Sequence, residues 1–248
     1  MQIFLDSANY REIEHWLRQG VVDGVTTNPS IMLKDGVYDI EEGARKICSL
    51  LGNRPVSVEV TTNDLPEMVD QGRAFARWAA NIVVKIPVVN EDGDSCLGVI
   101  HTLSQEGIPV NTTTVLSFNQ AILAAKAGAT YVSIFAGRVA DEGNDPAGII
   151  RAMRRWLDEW GFAAKILVGS IRAVMDVQLA AMAGAHIITI PPQFLPKMVD
   201  HKYARDTVRQ FNQDAEKALA QIAQVRVGAA GGSAGARSES RPRSALAR

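Results

Sequence analysis

The stretch 81-NIVVKIPVV-89 is apolar on both sides of a single lysine, Lys85. A strand that alternates apolar and polar residues has one wet face. This one has none, so it reads as a strand of a parallel sheet covered by helices. Seven further short runs share its β-branched, apolar character: 2-QIFLD-6, 21-VVDGVTTN-28, 55-PVSVEV-60, 109-PVNTTTV-115, 130-TYVSIFAG-137, 165-KILVGS-170 and 186-HIITIPP-192. Segments with helix signals lie between them. In 64-DLPEMVDQGRAFARWAAN-81, Asp64 is a candidate cap. In 145-DPAGIIRAMRRWLDEWG-161, Asp145 precedes Pro146 at the first helical position and Gly161 stops the helix. A third, 171-IRAVMDVQLAAMAGA-185, ends at Gly184. Strands alternating with helices imply parallel pairing. Eight such units in 248 residues predict an α/β fold, a single (β/α)8 TIM barrel. The competing reading is an open, doubly wound sheet.

The totals bound what the chain does. Hydrophobic residues make up 47% of it, enough for a sizeable core, and the formal net charge is −1. No basic excess points to nucleic acid, and no acidic block suggests a solvating tail. Cys48 and Cys96 are far apart without metal spacing, so they read as buried thiols in a reducing cytoplasm. The start, 3-IFLD-6, has no basic region or long apolar run of a signal peptide, and no membrane span is expected. After the eighth strand come a short helix near 192–200 and a long one over 203–225. The barrel does not need both, so the last is a candidate oligomer contact. The predicted domain therefore covers 1–226, and 227–248, rich in Gly, Ala, Ser and Arg, is expected to be disordered.

Barrel enzymes work at the C-terminal ends of their strands. The polar residues there are Asp6, Thr26 and Asn28, Glu59, Lys85, Asn111 and Thr113, Ser133, and Ser170; strand 8 offers only Thr189. Residues two apart share a face, so Thr26 pairs with Asn28, Asn111 with Thr113, and Ser133 with Phe135. A barrel filled only for stability would carry Val, Ile and Leu at these positions.

Lys85 is the lysine near the top of a strand and flanked by apolar residues; Lys165 opens strand 7 at the bottom, and the others sit in helical or loop patterns. It could be a snorkelling lysine with a wet head. Alternatively, burial in apolar surroundings disfavours an ammonium and leaves a nucleophilic amine suited to imine formation. Such an amine needs a proton shuttle. Asp6 and Glu59 lie on strands 1 and 3, close to strand 4. Asp6 could instead cap a helix and Asn28 could be a turn residue, whereas a Glu within 56-VSVEV-60 is expensive unless paired or working. Arg138, Ser170 and Arg172 follow strands 6 and 7. Two guanidiniums, a hydroxyl and N–H groups at a helix start suit a phosphate dianion. The histidines, His15, His101, His186 and His201, form no ligand cluster at the strand ends, so no metal site is expected. No glycine-rich nucleotide fingerprint occurs either.

With these segments in order, 3-IFLD-6, 22-VDGVTTNPSI-31, 83-VVKIP-87, 111-NTTTVLSFNQA-121, 133-SIFAGR-138 and 169-GSIR-172, the chain resembles the transaldolase family over residues 1–220. The likeness is to its short form, close to the small transaldolases and fructose-6-phosphate aldolases. The resemblance implies a transferase of the class I Schiff-base type without a cofactor. Lys85 would be the imine lysine, Glu59 and Thr113 would hold a water for proton transfer, and Asp6 would act as acid and base near the C3–C4 bond. Asn28, Asn111 and Ser133 would hold the dihydroxyacetone part, beside Thr26 and Phe135. Arg138, Ser170 and Arg172 would bind the sugar phosphate. It also implies a homo-oligomer, a pentamer or decamer.

The aldolase branch of that family has Gln where Glu59 stands and Tyr where Phe135 stands, which favours transfer of dihydroxyacetone here over its release. The chain departs from the pattern at Ile134, where Pro is usual, and in the loop 88-VVNEDGD-94. That loop lies over the expected site and leaves acceptor choice open, including a pentose phosphate that would give an eight-carbon ketose phosphate. An aldolase releasing free dihydroxyacetone and a non-catalytic sugar-phosphate-binding protein are the alternatives.

Overall fold

A computed structural model describes residues 1–232 of the chain. Eight strands close into a parallel barrel in sequence order: Gln2–Asp6 (β1), Gly24–Thr26 (β2), Val56–Glu59 (β3), Ile82–Pro87 (β4), Val110–Val115 (β5), Tyr131–Phe135 (β6), Lys165–Gly169 (β7) and Ile187–Ile190 (β8). The helices are Tyr10–Arg18 (α1), Pro29–Lys34 (α2), Ile40–Leu51 (α3), Leu65–Ala76 (α4), Leu97–Gln105 (α5), Phe118–Lys126 (α6), Ala136–Asp141 (α7), Pro146–Trp160 (α8), Val174–Met182 (α9), Leu195–Val199 (α10) and Lys202–Gly232 (α11). The barrel expected from the sequence is therefore present, and the open sheet is excluded by pairing of β1 with β8.

Helix boundaries follow local chemistry. Asp64 caps α4 by accepting from the Glu67 N–H at 2.8 Å, and Pro66 sits in the first turn. Gly161 ends α8 in the left-handed conformation, φ 66°. Asp145 occupies the cap position of α8, but its side chain pairs with Arg151 rather than with the helix N–H groups.

Alternation along the strands divides the core into two layers. Outward-facing residues such as Leu5, Val25, Val58, Val84, Ile86, Val132, Ile134 and Val168 pack under the helices. Inward-facing Phe4, Val83, Tyr131, Leu167 and Ile187 form a separate apolar cluster that floors the barrel. Phe4 and Tyr131 meet edge to face, centroids 5.9 Å apart. Both cysteines are buried and unpaired, and burial pushes their thiols up to about 11.

The compact unit ends at Met198, and residues from Val199 form a second unit. Its helix α11 runs to Gly232, so residues 227–232, expected to open a disordered tail, continue the helix. Residues 233–248 of that expected tail lie outside the described residues. Among the described residues no helix is long and apolar enough to cross a membrane.

Gly24 shows how closely the floor is packed. A Cβ there would lie 2.7 Å from the Phe4 ring. Gly24→Ala is expected to lose about 1–3 kcal/mol, the usual range for overpacking, read as a lower urea midpoint. An unchanged midpoint would mean that the ring has room to yield.

Candidate active site

Above the apolar floor the interior becomes polar. Cα register sets Glu59 beside Lys85, Lys85 beside Asn111, and Pro87 beside Thr113. Neighbours in register point to the same side, so β3, β4 and β5 deliver these side chains to one wall. Lys85 is 4% exposed. Its Nζ lies 2.8 Å from Glu59 Oε2 and donates to the Thr27 carbonyl at 2.8 Å. The amine expected to be buried is buried, and it lies against a carboxylate and a carbonyl. The reason is desolvation. An unpaired charge inside the barrel would be far less stable than a paired one.

β5 carries the next groups. Asn111 Nδ2 donates to Ser57 Oγ at 3.1 Å. Asn111 Oδ1 and Thr113 Oγ1 are buried and have no hydrogen-bond partner among the described residues. An unsatisfied buried polar atom costs about 1–3 kcal/mol, so two of them beside the lysine are suited to a polar ligand. Thr114, next along, has φ 58°, and the β5–β6 register shifts between Thr112 and Val115. A β-branched residue in the left-handed region is strained, and the irregularity falls where the strand presents Thr113.

Asp6 stands on β1, in register with Thr26. Its Oδ1 accepts from Thr26 Oγ1 at 2.6 Å, and Thr26 Oγ1 lies 2.5 Å from Thr189 Oγ1. One hydroxyl has one proton, so Thr189 donates to Thr26 and Thr26 to Asp6. Burial raises the Asp6 pKa above the usual carboxylate value; the Thr26 hydrogen bond and Lys85 oppose this, while Glu59 and Asp35 add to it. Helix capping, the other reading of Asp6, falls to Asn9, whose side chain accepts from the N–H groups of Arg11 and Glu12. Asn28 does cap: its Oδ1 accepts from Ile31 N–H at 2.8 Å at the start of α2.

The strand 6 and 7 ends meet through Gly137. Its N–H donates to the Ser170 carbonyl at 3.1 Å, and a Cβ there would fall 2.2 Å from that oxygen and 2.9 Å from Arg172 Nε. Only glycine fits between the two segments. Ser170 itself has φ 59°, so strain again marks a strand end. Ser133 is buried, half-buried Phe135 is in register with Gly169, and the Arg138 guanidinium sits 5.6 Å from the Phe135 ring centroid. Arg138 and Arg172 are exposed, and Arg172 pairs with Asp141. The helix-start N–H groups expected to serve a phosphate are partly committed: those of Arg172 and Ala173 donate to Asp176 Oδ2 at 2.8 and 2.9 Å.

Asp6, Thr26, Glu59, Lys85, Asn111, Thr113 and Ser133 thus share the barrel interior, while Arg138 and Arg172 stand exposed beyond β6 and β7. Ser57, Asp176 and the Thr27 carbonyl were not anticipated. Ser57 lies two residues before Glu59 and was findable by the same alternation; a backbone acceptor has no sequence signal.

Fold and interior together define a (β/α)8 barrel with a buried lysine–carboxylate pair at its strand ends. A family model described as transaldolase/fructose-6-phosphate aldolase matches residues 3–230, and the chain belongs to that family. It is 43% identical over 216 residues to "Probable transaldolase 2" of Listeria monocytogenes, covering 87% of this chain and 96% of that one. It is 42% identical over 214 residues to a "Probable transaldolase" of Streptococcus equi subsp. zooepidemicus, covering 86% and 97%. A crystal structure of a mandelate oxidase variant with 2-hydroxy-phenylacetamide aligns with TM-score 0.53 at 16% identity over 76% of this chain and 64% of that one, a likeness of fold alone.

The Asp6 shift has a sign that can be tested. With its folded pKa raised, ionised Asp6 destabilises the fold at neutral pH. That penalty vanishes below about pH 4, where folded and unfolded chains are both protonated. Asp6→Asn is expected to raise Tm at pH 7 and to lose that advantage on acidification; a lower Tm at pH 7 would contradict the assignment.

Proposed function

We propose that the chain is a transaldolase that moves a dihydroxyacetone unit from a ketose phosphate to an aldose phosphate through an imine on Lys85. The observation that carries this reading is the 2.8 Å contact between Lys85 Nζ and Glu59 inside the barrel. A paired ammonium and carboxylate can become amine and carboxylic acid by one proton shift, without exposing charge. The amine then attacks C2 of fructose 6-phosphate or sedoheptulose 7-phosphate. Glu59 and Thr113, acting through a water, return the proton that lets the carbinolamine lose its hydroxyl. Asp6 takes the proton of the C4 hydroxyl as the C3–C4 bond breaks, and the electron pair flows into the protonated imine to give an enamine. Asp6 later returns the proton to the acceptor's aldehyde oxygen as the new bond forms. Hydrolysis of the final imine frees the product.

Asn111, Ser133 and Asn28, with Thr26 and Phe135, hold the three-carbon unit; Arg138, Ser170 and Arg172 bind the phosphate. Asn28 can do so through its amide N–H groups, since its oxygen caps α2. Transfer is favoured over release because a carboxylate and a phenyl ring stand at residues 59 and 135. Neither offers the phenol or neutral amide associated with protonating the enamine. The loop 88–94 departs from the family's pattern and leaves the acceptor open, a pentose phosphate included. Residues Val208, Phe211, Ala215, Leu219 and Ile222 recur every three or four positions on α11, the spacing of an apolar helix stripe, which supports a homo-oligomer. A cytoplasmic location accords with the two unpaired thiols.

Fructose 6-phosphate alone is expected to give about one equivalent of glyceraldehyde 3-phosphate per subunit and then stop. Adding ribose 5-phosphate should restore turnover and yield an eight-carbon ketose phosphate. Rapid, continuing release of free dihydroxyacetone without acceptor would instead establish the aldolase reading.

A further inference from the structure

We propose that Asp35 is a positioning residue for Asp6: its carboxylate fixes the turn that follows β1 and, as a second negative charge on the same cavity, sets the pH range in which Asp6 exchanges protons. The inference rests on the reading of Asp6 as the acid–base group.

The turn 7–9 carries the chain from β1 into α1, and Asp35 reaches it from the end of α2. Asp35 Oδ2 accepts from Ala8 N–H at 2.8 Å and from Ser7 Oγ at 3.1 Å. Ser7 Oγ in turn accepts from Asn9 N–H at 3.0 Å and lies 3.3 Å from Glu12 Oε2. Ser7 is 2% exposed. Its single proton serves one of the two carboxylates at a time, whereas the Ala8 N–H is committed to Asp35. Asp6 is covalently next to this turn, so the angle at which its carboxyl enters the barrel depends on the Asp35 anchor.

Local structure does not otherwise account for a carboxylate here. Asp35 is the C-cap of α2, where the helix dipole disfavours negative charge. A residue chosen only to end the helix would be Gly or Asn, and Gly36, with φ 78°, follows immediately. Asp35 and Asp6 line one cavity of about 270 Å³ together with Glu12, Lys34 and Gln193. The charges facing Asp6 are therefore Lys85 from β4, Glu59 from β3, Asp35 and Lys34 from α2 and its cap, and Glu12 from α1. Burial raises the Asp6 pKa first, and Glu59 and Asp35 add to it against Lys85. Removing the Asp35 charge must then move Asp6 downward.

The test compares the parent with Asp35→Asn, Asp35→Ala and Asp6→Asn. The assay follows kcat and kcat/KM against pH for transfer from sedoheptulose 7-phosphate to glyceraldehyde 3-phosphate. Asn keeps an oxygen for the Ala8 N–H but removes the charge. The rising limb of kcat/KM is expected to move to lower pH, with kcat at its plateau little changed. Ala removes the anchor as well, and kcat is expected to fall about tenfold with KM nearly constant. If Asp35→Ala fails to fold, the Asn variant alone decides. A purely structural Asp35 would lower Tm and leave the limb of Asp35→Asn on that of the parent, which overturns the proposal. Asp6→Asn should lose transfer. If it retains the parent's kcat, the assignment of Asp6 has failed, and the role of Asp35 falls with it.

Discussion

The Lys85–Glu59 pair is the constraint around which this barrel is arranged. An ammonium can remain inside a ring of strands only with a negative partner and a further acceptor, because desolvation of an unpaired charge exceeds what packing returns. β3 supplies the carboxylate in register with the lysine, and the Thr27 carbonyl supplies the acceptor. Below them Phe4, Val83, Tyr131, Leu167 and Ile187 close the floor. The lysine is thereby shielded from one end of the barrel and reachable from the other. Some neighbouring groups find partners within the same ring, the Asn111 amide N–H at Ser57 and the Asp6 carboxyl at Thr26, while Asn111 Oδ1 and Thr113 Oγ1 do not.

Backbone strain is concentrated at the strand ends. The two non-glycine residues with positive φ among the described residues are Thr114 and Ser170. One follows Thr113 at the irregular end of β5; the other follows β7 beside Gly137 and Arg172. Each costs on the order of 1–3 kcal/mol, which a packed barrel can bear. The same logic explains Asp6, a carboxyl kept in a buried place that disfavours its charge, next to a lysine that favours it. Stability is given up at the residues proposed to move protons, a pattern common to working sites.

Much of this was legible in the sequence. The eight apolar runs fixed the number of strands because a strand buried on both faces has a distinctive look, and 82-IVVKIP-87 shows it most plainly. The inward set, Asp6, Thr26, Glu59, Lys85, Asn111, Thr113 and Ser133, followed from a period of two. What escaped was whatever depends on atoms without a side-chain signature. The Thr27 carbonyl, the capture of the Arg172 and Ala173 N–H groups by Asp176, and the reach of Asp35 back to Ala8 all join segments through backbone groups. The sequence put Glu59 near Lys85, but their exact register, Glu59 beside Lys85, cannot be read from either strand alone.

The most direct measurement of the central claim is chemical capture of the imine. The protein is incubated with fructose 6-phosphate and sodium borohydride, digested, and its peptides weighed by mass spectrometry. A reduced dihydroxyacetone adduct is expected on Lys85 Nζ and nowhere else, with none formed by Lys85→Met. An unmodified Lys85 peptide in protein that still turns over sugar phosphates would contradict the account.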